Sequence, residues 1–307
     1  MWRDIMKKLF ILIIVMVLIG CGKGNERKIE LGITQIVEHE SLDDVRRGVI
    51  EALKDNGYGE EKINITYRNA QGDFATAQII AQEFNKKSDV IVAVSTPSAQ
   101  AAVNNIKEKP IFFAAITNPE NAGVLEKNVT GVSDKSPVEK QVALIKKLLP
   151  KAKNIGIVYN TSEQNSFYLT EEFKKSAEKM GFKVVVRGIT TINEMASALD
   201  TLIPEIDVLY TSIDNMLASA YPLIVEKCNK GNKPIIGATK SFTEQGALAS
   251  EGISDYQVGY QTGKQIVRYL NGEKLEKIPY ETVEKSEFSI NKEVAEKFGI
   301  NTENLIF

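Results

Sequence analysis

Asp89-Val90-Ile91-Val92-Ala93-Val94-Ser95-Thr96-Pro97-Ser98 is the stretch that decides the fold. A strand with one wet face alternates apolar and polar residues. The unbroken run Val90–Val94 instead describes a strand buried on both faces, as in a parallel sheet covered by helices. The run ends in hydroxyl residues followed by Pro97. Proline suits the first turn of a helix, where its missing N–H has no partner to lose. Strand, turn and helix in immediate succession are the grammar of a βαβ unit.

Working outward, the same grammar recurs. Residues 29–36 read as a strand, and 42–56 have helical spacing, with Leu42, Val45, Val49 and Leu53 on one side and Asp43, Arg46, Arg47 and Lys54 on the other. Residues 63–70 alternate as a strand, and 75–86 form a helix for which Asp73 is a plausible N-cap. Residues 99–107 continue as a helix and 111–116 as another buried strand. The pattern then starts again: a helix at 139–149 ended by Pro150, a strand at 155–159, a helix at 170–180, a strand at 184–188 and a helix at 195–202. Strands at 208–211 and 235–238 follow, separated by a helix over 216–229. The tail carries a helix at 256–270, a strand-like segment at 288–290 and a short helix at 293–298. The alternation predicts an α/β architecture with right-handed crossovers.

The opening stretch has a counterpart. Asp89-Val90-Ile91-Val92 is followed by a polar turn, a helix and Lys109-Pro110-Ile111-Phe112; Asp207-Val208-Leu209-Tyr210 is followed by a polar turn, a helix and Lys233-Pro234-Ile235-Ile236. Shared βαβ grammar alone is one explanation. Two lobes of similar topology lying side by side is the better one. No low-complexity linker separates the halves, which predicts tight coupling, and the tail is suited to crossing back between them as a hinge.

At the N-terminus, Arg3, Lys7 and Lys8 precede an apolar run from Leu9 that closes with Leu18-Ile19-Gly20-Cys21. A basic start, a short apolar core and a small-residue boundary make a secretory signal. A bilayer span needs roughly 20 apolar residues, more than this run offers. The boundary resembles a bacterial lipobox, in which Cys21 becomes the lipid-carrying N-terminus, with Gly22-Lys23-Gly24-Asn25-Glu26 as a flexible tether. Removing Arg3, Asp4, Lys7 and Lys8 with the signal takes the formal net charge from −2 to −4, which argues against nucleic acid as a partner. With Cys21 lipidated, Cys228 has no disulfide partner and is expected to pack in a helix.

In open α/β sheets ligands bind beyond the carboxyl ends of the strands. The residues there are Gln35-Ile36-Val37-Glu38-His39, Ser95-Thr96-Pro97-Ser98, Thr117-Asn118, Tyr159-Asn160 through Asn165-Ser166, Ser212-Ile213-Asp214-Asn215 and Thr239-Lys240-Ser241. Their recurrence on both halves predicts a polar cleft. The helix start after Val94 suits an anion such as a carboxylate, or Ser95 or Thr96 simply caps it. Asp214 is the candidate for a ligand ammonium, with a helix N-cap as the alternative. No catalytic residue, cofactor or metal is expected. His39 is the lone histidine, no Gly-x-Ser-x-Gly elbow or Walker loop occurs, and no Gly-x-Gly-x-x-Gly follows the first strand. His39 reads as a loop residue or a cleft contact.

Several segments carry a family resemblance as a set: Gln35–His39 as quoted, Asn69-Ala70-Gln71-Gly72-Asp73, Thr96-Pro97-Ser98-Ala99-Gln100, Gly131-Val132-Ser133-Asp134, Ser136-Pro137-Val138-Glu139-Lys140-Gln141, Gly156-Ile157-Val158-Tyr159-Asn160 and Gly246-Ala247-Leu248-Ala249-Ser250. With them the chain resembles the substrate-binding lipoproteins of ABC transporters, of the family associated with tryptophan and related aromatic amino acids. The resemblance implies a type I periplasmic-binding fold: two Rossmann-like lobes with parallel sheets and a three-segment hinge. On that scheme residues 1–20 are the signal, 21–27 the tether, 28–133 with 254–281 one lobe, and 134–253 with 282–307 the other. Thr96, Ser98 and Thr117 match the first-lobe side of the cleft, joined by Gln35 and Glu38 from the first strand end. Asn165, Ser166, Asp214 and Asn215 match the second-lobe side.

The expected function is capture of a small solute, an aromatic amino acid, by a monomer lipid-anchored outside the cell membrane, with an ABC permease and its ATPase as partners. Other small solutes (a sugar, a nucleoside, a branched amino acid) fit the same scheme. So does a sensory protein presenting its ligand to a membrane receptor. A secreted enzyme is disfavoured by the missing catalytic motifs, and a transcription repressor by the export signal.

Overall fold

The computed structural model describes Trp2 and residues 27–302. Apart from Trp2 and Arg27, the signal, the lipidation residue Cys21 and the tether therefore lie outside the described residues, as do 303–307. Along the chain, β1 (Ile29–Gln35), α1 (Glu40–Asp55), β2 (Ile63–Asn69), α2 (Phe74–Lys87), β3 (Val90–Val94), α3 (Thr96–Asn105), β4 (Ile111–Ala114) and β5 (Val129–Ser133) build a first lobe. Then α4 (Val138–Leu148), β6 (Asn154–Asn160), α5 (Gln164–Lys179), β7 (Lys183–Ile189), α6 (Met195–Leu202), β8 (Val208–Thr211), α7 (Asn215–Ser219), α8 (Tyr221–Lys230), β9 (Ile235–Gly237), α9 (Lys240–Glu244) and β10 (Ala249–Ile253) build a second. The chain returns to the first lobe as α10 (Asp255–Leu270) and β11 (Glu281–Thr282), and ends in the second as β12 (Ser286–Ile290) and α11 (Lys292–Lys297).

Each lobe holds a six-stranded sheet, ordered β11-β5-β4-β3-β1-β2 and β12-β10-β9-β8-β6-β7. All pairings are parallel except β10 with β12. The central strand β3 is buried along its whole length, which is why its sequence shows no alternation. Helix α1 buries Leu42, Val45, Val49 and Leu53, the stripe its spacing announces. Asp73 caps α2 by accepting from the amides of Ala75 and Thr76.

The chain crosses between lobes after β5, after β10 and after β11, giving a three-segment hinge. The second crossing delivers α10 onto α1, and the approach is close enough to demand glycine. A Cβ on Gly259 would lie 1.9 Å from the Val45 carbonyl oxygen, and one on Gly48 would lie 2.3 Å from that of Tyr256.

The structure corrects several expectations. The helix over 216–229 is two helices, α7 and α8, because Pro222 has no N–H to bond back one turn and instead opens α8. Helix α5 starts at Gln164, not at 170, so the polar run containing Asn165 and Ser166 is its buried first turn. Strands β5, β10 and β11 and helix α9 were not expected. Thr282 pairs with Ser133 and so lies in the first lobe's sheet, not the second's. No helix among the described residues is long and apolar enough to cross a membrane.

Candidate functional site

Between the lobes lies a small, mostly enclosed cavity of about 20 Å³. Its walls are the loops that follow strands of both sheets. His39, Ser41 and Leu42 follow β1, Ser95 and Thr96 follow β3, Ala115 and Thr117 follow β4, and Asp134 follows β5. From the other lobe, Asn165 follows β6, Ile213, Asp214, Asn215 and Ala218 follow β8, Thr239 and Phe242 follow β9, and Asp255 follows β10. This is where the strand-end rule places a ligand.

On the first-lobe wall two residues other than glycine sit at positive φ, Ser95 at 87° and Ala115 at 58°. The Ser95 amide donates to Ala114 O at 2.9 Å, and its hydroxyl contacts Ser98 Oγ at 3.4 Å. No side chain caps α3, so its N-terminal amides and the positive end of its dipole are left to whatever enters the cavity.

On the second-lobe wall the acidic groups instead satisfy their neighbours in a polar hub. Asp214 caps α7 by accepting from the Leu217 amide at 3.0 Å, and its other oxygen accepts from the Asn160 amide at 2.7 Å and from the Ser166 hydroxyl. Glu163 accepts from Asn215 Nδ2 at 2.5 Å and Asn160 Nδ2 at 3.0 Å. Hydrogen bonds that close the lobes on each other include His39 Nε2 with Asn215 Oδ1 at 3.2 Å, Ser41 Oγ with Ser241 Oγ at 2.7 Å, and Thr239 Oγ1 to Asp255 at 2.8 Å.

The cavity is acidic and contains no lysine or arginine. Burial pushes the Asp134 carboxyl up to about 6. Burial, with the charge of Asp134 nearby, raises Asp255 to about 7. Burial, with Asp214 alongside, raises Glu163 to about 7. Asp214 is raised by burial against the pull of its own donors. Burial lowers His39, so its imidazole is neutral. Three buried side-chain atoms of the lining have no partner among the described residues: Asp134 Oδ1, Asn165 Oδ1 and His39 Nδ1. No group of side chains there suits a metal ion.

Of the residues expected from sequence, Thr96, Thr117, Asn165, Asp214 and Asn215 line the cavity. Four do not. Gln35 is turned into its own lobe, donating to Val37 O and Asp43 Oδ1 at 2.9 Å each and accepting from Arg46. Glu38 is drawn outward by the Tyr67 hydroxyl at 3.0 Å. Ser98 stands behind Ser95 in the first turn of α3, and Ser166 is spent on Asp214. Asp214 reaches the wall, but its N-cap alternative is the one the geometry supports. Thr239, expected from its strand end, also lines the cavity, while Asp134, Asp255 and Ser41 were missed. Asp134 and Asp255 each follow a strand, β5 and β10, that the hydrophobic pattern did not reveal. Cys228 is a free, buried thiol in α8, raised by burial to about 12.

The family description "ABC transporter substrate binding protein" matches residues 30–307. A tyrosine-binding protein from Clostridioides difficile (strain R20291) is 40% identical over 289 residues, 89% of this chain and 84% of that one. The structure of an ABC domain in complex with L-Trp from Streptococcus pneumonia superposes with a TM-score of 0.87 at 34% identity, covering 91% of this chain and 97% of that one. A ligand-free, open structure of a substrate-binding protein with adhesive properties from Clostridium difficile is 42% identical and covers 90% and 96%, yet its TM-score is 0.68. The better superposition is with the ligand-bound chain despite its lower identity, in keeping with lobes closed on each other.

Proposed function

This chain belongs to the ABC transporter substrate-binding proteins, built on the type I periplasmic-binding fold, and from that premise we propose that it captures an aromatic amino acid by closing its lobes around it. The observation that carries the reading is the cavity itself, enclosed by strand-end loops of both lobes and retaining unpartnered polar atoms. The uncapped start of α3 suits the carboxylate. Leu42, Ile213, Ala218 and Phe242 offer an apolar wall for the ring, and Phe242 is held rigid by stacking on Tyr221 with ring centroids 4.1 Å apart. A small apolar enclosure with a few placed polar groups is the usual division between affinity and orientation. The tyrosine and L-Trp named for the relatives above support the ligand class.

Delivery is to an ABC permease and its ATPase, and the protein works as a monomer outside the membrane, tethered through lipid on Cys21. The working boundaries are a signal at 1–20, a tether at 21–27, a first lobe at 28–133 with 254–282, and a second at 134–253 with 283–307. Cys21→Ser should move the protein from the membrane fraction to the soluble one. Retention of the processed variant in membranes overturns the anchor.

The ligand test uses residues 21–307, which contain no tryptophan because Trp2 is the only one. Tryptophan titrated into this protein should bring saturable, shifted indole emission, also excited through the protein's tyrosines, and tyrosine should compete. No saturable response to any aromatic amino acid, with saturation by sugars, nucleosides or branched amino acids, removes the aromatic assignment.

A further inference from the structure

His39 offers an acceptor that no described residue takes up. Its imidazole lines the cavity, and Nδ1 is buried without a partner among the described residues. The residue stands at the N-cap of α1 but makes no side-chain capping bond, so the ring is not engaged by its own helix. Which nitrogen carries the proton follows from the second lobe. Asn215 Nδ2 donates to Glu163 Oε2 at 2.5 Å, so Asn215 turns its Oδ1 toward the first lobe. His39 Nε2 lies 3.2 Å from that oxygen and is therefore the protonated nitrogen. Burial lowers the His39 pKa and keeps the ring neutral, which leaves a bare lone pair on Nδ1. A buried acceptor with no donor costs free energy, so the site is incomplete until something donates to it.

The surroundings say what kind of donor. The apolar wall of the cavity comes from the same segments as His39 and its neighbours across the cleft. Leu42 is three residues on from His39, Ile213 and Ala218 flank Asn215, and Phe242 follows Ser241, which bonds Ser41. A neutral imidazole has no charge to offer a cation, and the carboxyls of the lining do. What Nδ1 suits is a neutral N–H or O–H carried at the edge of an apolar group. Resting on the reading that the cleft takes an aromatic amino acid, we propose that His39 determines which one: its Nδ1 accepts a hydrogen bond from a donor on the solute's ring, the indole N–H of tryptophan or the phenol O–H of tyrosine, so that the cleft discriminates against phenylalanine.

Discrimination of this kind exceeds what shape alone gives. A purely apolar pocket separates solutes that differ by one small group only weakly. A pocket with a buried acceptor leaves that acceptor unpaired whenever the donor is missing. The placement also ties recognition to closure. At about 20 Å³ the closed cavity is too small to admit a solute from outside, so uptake occurs with the lobes parted. The bond from Nε2 to Asn215 forms only when they meet, and that bond is what fixes Nδ1 as the acceptor. The ring is read at the moment the cleft shuts.

The test compares two matched pairs by calorimetry: tryptophan against 3-benzothienylalanine, in which sulfur replaces the ring N–H, and tyrosine against phenylalanine. On the wild-type protein the member with the ring donor should bind at least about tenfold more tightly. His39→Leu should weaken that member by about tenfold or more while leaving its partner within about threefold of its wild-type affinity, so the preference collapses. The indole N–H and the phenol O–H project to different depths, so a preference confined to one pair, and lost in His39→Leu, upholds the proposal and names the ring. A merely structural role for His39, through its bond to Asn215, would weaken all four solutes alike, and ratios unchanged in His39→Leu overturn the proposal. Equal affinities within both pairs on the wild type overturn it too and leave the aromatic reading standing. Saturation by sugars, nucleosides or branched amino acids alone overturns both. Should His39→Leu fail to fold, His39→Phe, which keeps the bulk of the ring, carries the same expectation.

Discussion

The turn after β3 and the turn after β8 begin alike and end as opposites. At their starts the two strands are fastened in the same way. The Asp89 amide donates to Glu30 O while its carboxylate accepts from the Glu30 amide at 2.9 Å; the Asp207 amide donates to Asn154 O while its carboxylate accepts from the Asn154 amide at 2.8 Å. Pro110 O and Pro234 O each accept from the second residue of the strand, both at 3.0 Å. At their far ends the likeness stops. β3 runs into an uncapped helix of 10 residues through a strained serine, and β8 runs into a capped helix of 5 residues through Asp214. One lobe leaves its helix start for the ligand, and the other fills the equivalent place with its own carboxylate. A duplicated topology thus yields an asymmetric cleft, as an asymmetric solute requires.

The largest effect expected from this contrast is on folding. Asp214→Ala takes the acceptor from the Asn160 amide, the Leu217 amide and the Ser166 hydroxyl at once. Buried donors left without partners should cost about 3 kcal/mol of unfolding free energy, read from the urea midpoint. A loss of ligand affinity with unchanged stability would return Asp214 to the role of ammonium partner. Next in size is the reciprocal change. Ser95→Asp gives the first lobe the cap that the second already has, and the new carboxylate competes with the ligand's. Affinity for tryptophan should fall by about 30-fold with the fold retained. Undiminished binding would place the ligand carboxylate elsewhere.

Much of this asymmetry was legible in the residues. The buried run Val90–Val94, the echo at Asp207, the helix opening at Pro97 and the Asp73 cap are local features, and local features leave local patterns. β5 and β10 did not show. Val129–Ser133 carries Gly131 at φ 154° against the Phe113 backbone, and Ala249–Ile253 contains Glu251 and Gly252, residues poor in strand propensity. Missing those strands hid Asp134 and Asp255, which the strand-end rule would otherwise have flagged. Gln35 and Glu38 failed for another reason. They follow a strand end correctly, but Arg46 and Tyr67, on neighbouring elements, claim their side chains. Such competition exists only in three dimensions.

Buried carboxyls at the first two crossings and in the second lobe set how the protein should respond to pH. Asp134 at about 6 and Asp255 at about 7 are raised by burial, as is Glu163 at about 7 in the second lobe. A carboxyl raised on folding binds more protons in the native state than in the unfolded one between its two pKa values. Its contribution is therefore present at the acid end of that window and is lost as pH rises through the folded value. His39, lowered by burial, works in the opposite sense, since the unfolded imidazole takes up its proton first. With Asp134, Asp255 and Glu163, and Asp214 in the same sense, against one histidine, the ligand-free protein should lose stability from pH 5 to pH 7.5, by about 1 kcal/mol for Asp134 and about 2 kcal/mol for each carboxyl near 7. Asp134→Asn should flatten that slope. A thermal midpoint that climbs across the same interval would contradict the assignment.

The smallest and sharpest test is Ser95→Gly. Ser95 has φ 87° and ψ 158°, a backbone region almost reserved for glycine and costing other residues on the order of 1–3 kcal/mol. Ser212, the residue after β8, is not among the positive-φ positions, so the strain belongs to the ligand-facing turn of the first lobe alone. Glycine relieves it but adds freedom to the unfolded chain, offsetting roughly 0.5–1 kcal/mol. The balance should still favour the variant by about 1 kcal/mol, a rise of roughly 2–4 °C in the thermal midpoint. Ligand affinity should move the other way by a few fold, since the cavity loses the Ser95 hydroxyl and the turn its rigidity. A variant that is both less stable and equally good at binding would show the serine is there for the fold. A variant more stable and weaker at binding would show that the first lobe holds a strained turn because the solute needs that serine there, while the second lobe, capped by Asp214, has no such need.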